Sequence, residues 1–425
     1  MNILHVVAAV VCIIFVSSLV LIPFAKADWT MFRADPTHSG AGAGNPALPP
    51  ALLWNYTTGG AVVSSPAVVD GVIYVSSTDG NIYALNAANG IKIWSYTVGV
   101  GLSSPAVVSG VVYVGGDNKI YALHANTGAQ LWNYATGNEV TSSPAVVGGV
   151  VYVGSVDDSV YALNASSGIQ LWNYTASDSV ESSPAVVGGV VYVGCDGGNV
   201  YALNASSGIQ LWNYTTVDGD DFTSSPAVVD GVLYVGSEDG NVYALNASSS
   251  ILLWNYTTGY LVSWVTSSPA VVDGAVYVSS SNGNVYALNA ANGVKLWNYT
   301  ISLYNAEFAY LYSSPAVVNG VVYVGGAFNV YALNAANGVK LWSFNTTGGT
   351  MVYSSPAVVN GVVYIGSTDD NVYAFGSITT SSSPSPTVPE FPTQALITTL
   401  VVSLITILSA VIIRGKKRIN RNLQS

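Results

Sequence analysis

Charge is scarce in this chain. Asp, Glu, Lys and Arg make up 8% of its 425 residues, against roughly a quarter in ordinary globular domains. Basic residues are the rarer kind, with 11 Lys and Arg against 22 Asp and Glu. Between Asp28 and Glu390 only Arg33, Lys92, Lys119, Lys295 and Lys340 stand against all 22 acids, so five against twenty-two leaves −17 on that stretch. Such a surface repels phosphate backbones, and nucleic-acid binding is excluded first. Cations or cationic partners are the chemistry it would attract. Cysteine is nearly absent as well: Cys12 lies in an N-terminal apolar run and leaves Cys195 alone. No disulfide can form within the rest of the chain, and Cys195 reads as a small buried hydrophobe. Beyond that run His38 and His124 are the only histidines, and no Cys-x-x-Cys-His occurs. His-rich metal sites and Ser-His catalysis are therefore poorly supplied.

What the chain has instead is repetition. Ser64 to Trp94, SSPAVVDGVIYVSSTDGNIYALNAANGIKIW, sets a unit whose Ser-Ser-Pro-Ala quartet returns with proline at 66, 105, 144, 184, 226, 269, 315 and 356. A period of about forty residues marks a solenoid, propeller or helical array. Inside the unit Ala-Val-Val, Val-Ile-Tyr-Val, Asn-Ile-Tyr-Ala-Leu and Ile-Lys-Ile-Trp are short β-branched and aromatic runs, parted by Gly, Asn, Asp and Ser. That is the signature of strands and turns. Four strands in each of eight units predict an all-β, eight-bladed β-propeller.

The tryptophans that close the units predict how the ring shuts. They are Trp54, Trp94, Trp132, Trp172, Trp212, Trp254, Trp297 and Trp342, so the first precedes the first Ser-Ser-Pro and none follows the last. The eighth unit ends after three strands at Phe375, while Leu52–Thr57 is one outer strand without a blade. Joining the two closes the ring and removes two open sheet edges.

At this point the chain resembles a known family. Ala84-Leu-Asn-Ala-Ala-Asn-Gly-Ile-Lys-Ile-Trp94 is similar to the tryptophan-docking motif of PQQ-type propeller repeats, Ala-x-Asp-x-x-Thr-Gly-x-x-x-Trp. Similar runs end at Trp132, Trp172, Trp212, Trp297 and Trp342, and Asp28–Gly40 resembles the lead-in that precedes such propellers. One departure is systematic, with Asn, or once His124, where the family usually has Asp. The resemblance implies either a quinoprotein dehydrogenase or a non-catalytic scaffold such as those of outer-membrane assembly. In the dehydrogenases it implies adjacent cysteines in a vicinal disulfide, a calcium-binding carboxylate set and cationic contacts to the cofactor. This chain has no Cys-Cys pair and few cations, so no cofactor is expected and PQQ is disfavoured.

The ends predict export and anchoring. Residues 1–27, apolar from Ile3 to Ile22 and followed by Ala25-Lys-Ala27, read as a signal peptide, with an uncleaved anchor as the alternative. A lead-in covers 28–50, the propeller 51–376, and a Ser/Thr/Pro linker 377–393. Residues 394–413 are uncharged and precede Arg414-Gly-Lys-Lys-Arg418, which predicts a transmembrane helix with a basic cytoplasmic tail at 414–425. Val388-Pro-Glu-Phe-Pro392 resembles the Pro-Glu-Phe sorting signal of archaeal surface proteins, which implies processing by an archaeosortase-like enzyme. A plain membrane anchor is the alternative.

Spacing places the function. Proline-to-tryptophan distances are 27 or 28 throughout, whereas tryptophan-to-proline distances run from 11 to 18. Nearly all variation therefore falls in the connection from one blade's outer strand to the next blade's inner strand. That connection shares a face with the turn between strands two and three, and variable loops are where binding residues are mounted. The longest loops carry Tyr260, Trp264, Tyr304, Phe308, Tyr310 and Tyr312, an aromatic platform suited to sugar or peptide, or else a cover for the blade packing. Asp218, Asp220, Asp221 and Phe222 form a neighbouring loop, which reads as solvated acid with calcium as the alternative. Asp79-Gly-Asn and Asp239-Gly-Asn read as hairpin turns.

Nine Asn-x-Ser/Thr sequons stand at Asn55, Asn164, Asn173, Asn204, Asn213, Asn246, Asn255, Asn298 and Asn345. They are glycan acceptors in a host with the transferase, or repeat residues that match incidentally. No catalytic residues and no metal ligands can be nominated. The sequence thus predicts a non-catalytic, membrane-anchored propeller outside the cell, binding an envelope protein or surface glycan. A PQQ-dependent or other cryptic enzyme, and a structural coat component, are the competing expectations.

Overall fold

The computed structural model describes residues 28–42, 51–100, 102–216, 218–259, 263–301, 311–346 and 351–377. The expected signal peptide, linker, transmembrane helix and basic tail lie outside these residues. Eight antiparallel sheets follow one another in the chain. Blade 1 is typical, built from Ala67–Val69, Val72–Ser76, Asn81–Asn86 and Lys92–Thr97. Blades 2 to 7 start at Ala106, Ala145, Ala185, Ala227, Ala270 and Ala316. Blade 8 takes three strands from Ala357–Val359, Val362–Gly366 and Asn371–Gly376, and its outer strand is Ala51–Thr57. Trp54 lies opposite Ala374 in that pairing, so the ring closes three strands plus one, as the tryptophan count predicts.

Strand position dictates residue type. The second and third strands are sandwiched between neighbouring blades and bury nearly every side chain, hence Val-Ile-Tyr-Val and Ile-Tyr-Ala-Leu. The outer strand alternates, burying Trp94 while Lys92, Ser95 and Thr97 face out. Each outer strand also carries a register shift just before its Trp, as between Lys92 and Trp94 or Gln130 and Trp132. A bulge of one residue bends the strand and re-aims side chains. The extra residue points outward, which leaves Ile93, Leu131 and Leu171 47%, 51% and 51% exposed.

Three devices couple each blade to the next. In the first, one alanine carbonyl accepts two donors from the preceding blade. Ala125 O takes Trp94 Nε1–H at 2.7 Å and Tyr74 O–H at 3.3 Å; Ala165 O takes Trp132 and Tyr113 in the same way. The indole lies against the glycine that ends the third-to-fourth-strand turn. A Cβ on Gly208, at φ +71°, would come within 2.7 Å of the Trp172 ring. Blade 5 breaks this rule with Ser250 at φ 59°, and Trp212, which faces it, is left half-buried.

The same turn explains the departure from the family's Asp. Asn86 Oδ1 accepts the Ala88 N–H at 2.9 Å, and His124 Nδ1 accepts the Asn126 N–H at 3.3 Å. Any side chain with an acceptor at that place closes the turn.

The serine pair supplies the second and third couplings. The first serine braces its own blade and reaches the next, as where Ser142 Oγ accepts the Gly154 N–H at 3.1 Å and donates to Ser182 O of blade 4 at 3.1 Å. The second accepts the backbone N–H of the second serine one blade earlier. Ser65 donates to Ser104, Ser104 to Ser143, Ser143 to Ser183 and Ser183 to Ser225, at 2.9 to 3.0 Å. Ser225 donates to Ser268, Ser268 to Ser314 and Ser314 to Ser355, and Ser355 returns to Ser65 Oγ at 3.1 Å. Eight hydrogen bonds thus run in a closed circle around the axis.

Residues 28–42 are more than a lead-in, because they line the inner strands in turn. Trp29 exchanges two hydrogen bonds with Val68 of blade 1, and Thr30 O accepts from Val107 of blade 2. Pro36, Thr37, Ser39 and Gly40 carbonyls accept from Val186, Val228, Val271 and Val317 of blades 4 to 7. Ala41–Gly42 then pairs in parallel with blade 7 as a fifth strand. Trp29, Met31, Arg33 and His38 are all at most 3% exposed there. The segment lines the axial channel and satisfies inward N–H groups of the innermost strands of blades 1, 2 and 4 to 7.

Candidate functional site

The variable face surrounds one mouth of the channel. A single residue of each blade precedes the serine pair and stands at the rim: Val63, Leu102, Thr141, Glu181, Thr223, Thr266, Tyr312 and Tyr353. Their chemistry is divided by side. Blades 7, 8, 1 and 2 contribute two tyrosines and two aliphatics, and Tyr312 and Tyr353 meet edge to face at 5.0 Å. Leu102 is 46% exposed and Tyr312 39%. Blades 3 to 6 contribute three threonines and one glutamate.

Acid concentrates on that second side. Asp178 and Glu181 lie in the loop before blade 4, and Asp196 in its second turn. Asp221 and Glu238 occupy the equivalent places in blade 5. Asp221 Oδ1 accepts the Gly197 N–H at 2.8 Å, and the Glu238 N–H donates to Asp221 O at 3.0 Å, so the loops are tied together. Asp196 Oδ1 is buried without a hydrogen-bond partner among the described residues. Burial, then the charges of Glu181, Asp221, Asp178 and Glu238, push the Asp196 carboxyl up to about 7. Burial and neighbouring carboxylates also raise Glu181 and Glu238. Like charges held this close favour any arriving cation.

The expected site residues fall in different places. Asp221 belongs to the acidic side, and Asp218 and Asp220 lie on the same loop. Phe222 is a correction: it is wholly buried, 5.8 Å from the Tyr243 ring, and cannot touch a ligand. It occupies the core position that Val140, Val180 and Val265 hold in other blades. Trp264 is half-buried and Tyr312 exposed. Tyr260, Tyr304, Phe308 and Tyr310 lie outside the described residues, so the aromatic side rests on Tyr312 with Tyr353. The Asp79 and Asp239 triplets are hairpin turns, with Gly80 and Gly240 at φ +87° and +83°.

The sequons divide by position. Asn55, Asn173, Asn213, Asn255, Asn298 and Asn345 are exposed on outer strands. Asn164, Asn204 and Asn246 sit in turns with Oδ1 already accepting from the next serines, as in Asn164 with Ser166 at 2.7 Å. Cys195 is buried and its thiol is pushed up, chiefly by burial.

Glu181, Asp196, Glu238 and Tyr353 were not singled out from sequence, because they come from separate loops some forty residues apart. One signal pointed to them: residues 120 to 294 contain no Lys or Arg at all. Among the described residues, no three His, Cys, Asp or Glu side chains are grouped to hold a metal ion. The clefts between blades on the opposite face, such as that lined by Tyr192, Val228, Asp230 and Ala247, repeat around the ring and carry no comparable charge.

A family model described as outer membrane protein assembly factor BamB matches residues 50–102, 97–225 and 216–402. Among solved structures, BamB from Moraxella catarrhalis is similar with a TM-score of 0.65 at 22% identity, over 77% of this chain and 100% of that one. A europium-containing methanol dehydrogenase gives 0.70 at 15% identity, over 85% and 100%. Quinohemoprotein alcohol dehydrogenase from Comamonas testosteroni gives 0.65 at 18%, over 82% and 81%. At these identities the likeness is one of fold, which hosts both catalysts and scaffolds. No curated protein matches the chain in sequence.

Proposed function

Because the chain belongs to the PQQ-repeat family described as outer membrane protein assembly factor BamB, we propose that it is a non-catalytic scaffold for another envelope protein. Its partner is a peptide segment with basic residues next to apolar ones, laid across the channel mouth. The observation that carries this reading is the division of the rim. Glu181, Asp221 and Glu238 on one side suit Lys or Arg, and Tyr312, Tyr353, Leu102 and Val63 on the other suit aromatic or aliphatic side chains. A neutral glycan would use the aromatic side and leave the carboxylates without a partner.

A filled axis also supports a binding role over a quinoprotein one. The residues present do not fit the family's quinone site: Cys195 has no neighbouring cysteine, and 28–42 occupies the channel. We further place the propeller outside the cell, held by the apolar run 394–413 with its basic tail inside.

The test is binding of a labelled Lys/Trp-rich peptide and a neutral oligosaccharide to the full chain, followed by fluorescence anisotropy. The peptide binds, more weakly as salt rises, and E181Q/D221N/E238Q weakens it at least tenfold, about 1.4 kcal/mol. Oligosaccharide capture with no peptide binding, or an unaltered triple variant, overturns the reading. So does alcohol-dependent dye reduction after addition of PQQ and calcium.

A further inference from the structure

We propose that the propeller axis holds a small monovalent anion, bound between the guanidinium of Arg33 and the circle of serine hydroxyls. Arg33 is 1% exposed, and its Nη1–H donates to the carbonyl of Pro315, the residue after Ser314 of the circle. Among the described residues its Nε and Nη2 have no hydrogen-bond partner. A buried cation with unused donors needs a counter-charge.

Asp35, the carboxylate whose charge reaches Arg33, is already engaged. It accepts from the N–H and hydroxyl of Thr37 and the N–H and hydroxyl of Ser39. Burial outweighs its influence and lowers the guanidinium to about 9. That is the behaviour of a cation in want of a near anion.

The serines supply the second, independent observation. Each Oγ accepts an N–H from the preceding blade, and none of the eight hydroxyls donates to an acceptor among the described residues. All eight are 3% to 6% exposed, so these donors are buried, and Ser314 directly precedes the carbonyl that Arg33 holds.

Backbone strain aims the arginine. Arg33 and Ala34 take φ of 61° and 77°, a region rarely used outside glycine, and Gly40 N–H holds Arg33 O at 3.2 Å. Size and charge then define the ligand. Gly40 and Ala270 crowd the guanidinium, so that a Cβ added at Gly40 would collide with Nη2, and one guanidinium with neutral hydroxyls balances one negative charge. A halide meets both demands.

The test uses the full chain crystallised in sodium bromide. An anomalous bromine peak on the axis, within hydrogen-bonding distance of Arg33 Nε or Nη2, is expected; water alone at that position overturns the proposal. In solution, Tm rises by several degrees with bromide relative to gluconate at equal ionic strength, as mass action requires. R33Q removes that difference. A wild-type Tm equal in both salts overturns the proposal whether or not R33Q folds.

Discussion

Trp54 Nε1 donates to the carbonyl of Ala87 at 3.0 Å and so fastens the eighth blade to the first. Tyr364 of blade 8 reaches the same oxygen at 3.3 Å, the arrangement that also joins blades 1 to 7 in succession. The bond is ordinary; what it joins is the two ends of the propeller. Trp54→Phe keeps the ring packing and loses the hydrogen bond, at about 1 kcal/mol. Trp54→Ala also opens a cavity against Gly90 and costs about 3 kcal/mol. Denaturant unfolding of the full chain measures both, and equal effects of the two variants contradict the latch.

Ser250 predicts a gain rather than a loss. It holds a left-handed backbone, φ 59°, where blades 1 to 4 and 6 and 7 have glycine. Ser250→Gly relieves that strain and lets Trp212 close on the turn, raising stability by about 0.5–1 kcal/mol. Gly208→Ser in blade 4 is the mirror experiment and lowers it. Thermal unfolding of both variants checks the pair, and a destabilised Ser250→Gly refutes the argument.

The serine circle predicts unequal partners in one dipeptide. Ser143→Ala strands the Ser104 N–H in a buried place, and Ser142→Ala strands that of Gly154. Each costs about 1–3 kcal/mol. Hydrogen exchange separates them: Ser143→Ala speeds exchange at Ser104 in blade 2, whereas Ser142→Ala speeds it at Gly154 in blade 3. The same residue protected in both variants contradicts the assignment.

His38 makes the plug sensitive to acid. Burial, with Arg33 adding to it, lowers the imidazole to about 4 despite Asp35 and the contact with Pro226 O at 3.1 Å. The unfolded chain therefore takes up the proton first, at its ordinary value of about 6.5. Stability is full above that value and falls between about 6.5 and 4, by about 3 kcal/mol in all. His38→Gln flattens this limb of the Tm-against-pH curve; an unchanged limb refutes it.

Asp196 has the opposite sign. Its carboxyl binds a proton more tightly folded, at about 7, than unfolded, at about 4, so ionisation over that window weakens the fold. Asp196→Asn is more stable than wild type at pH 8, and the gain disappears below about pH 4. A gain that persists in acid would locate its cause outside the charge cluster.

The fold was legible because its evidence is periodic. Eight prolines, eight tryptophans and the misplaced Trp54 specify blades, strands and closure without any long-range information. The serine circle was not, because its bonds join residues about forty apart and each serine alone looks like turn chemistry. Phe222 misled because an aromatic in an acidic loop resembles a contact residue, whereas the equivalent Val140 and Val180 show the position to be core. The plug was invisible for another reason. Residues 28–42 have no strand periodicity, and their hydrogen bonds are dictated by the Val-rich inner strands they meet. The divided rim lies between these cases, foreshadowed by the absence of bases from 120 to 294 but assembled only by the ring.

Residues 28–42 and Ala51–Thr57 precede all the other blade strands in the chain, yet their binding surfaces include the last blades to be made. A ribosome must add more than three hundred residues after Thr57 before that strand meets its partner, Asn371–Gly376. Until Asn371–Gly376 exists, Ala51–Thr57 has no strand to pair with, so the ring shuts only after its last blade is made.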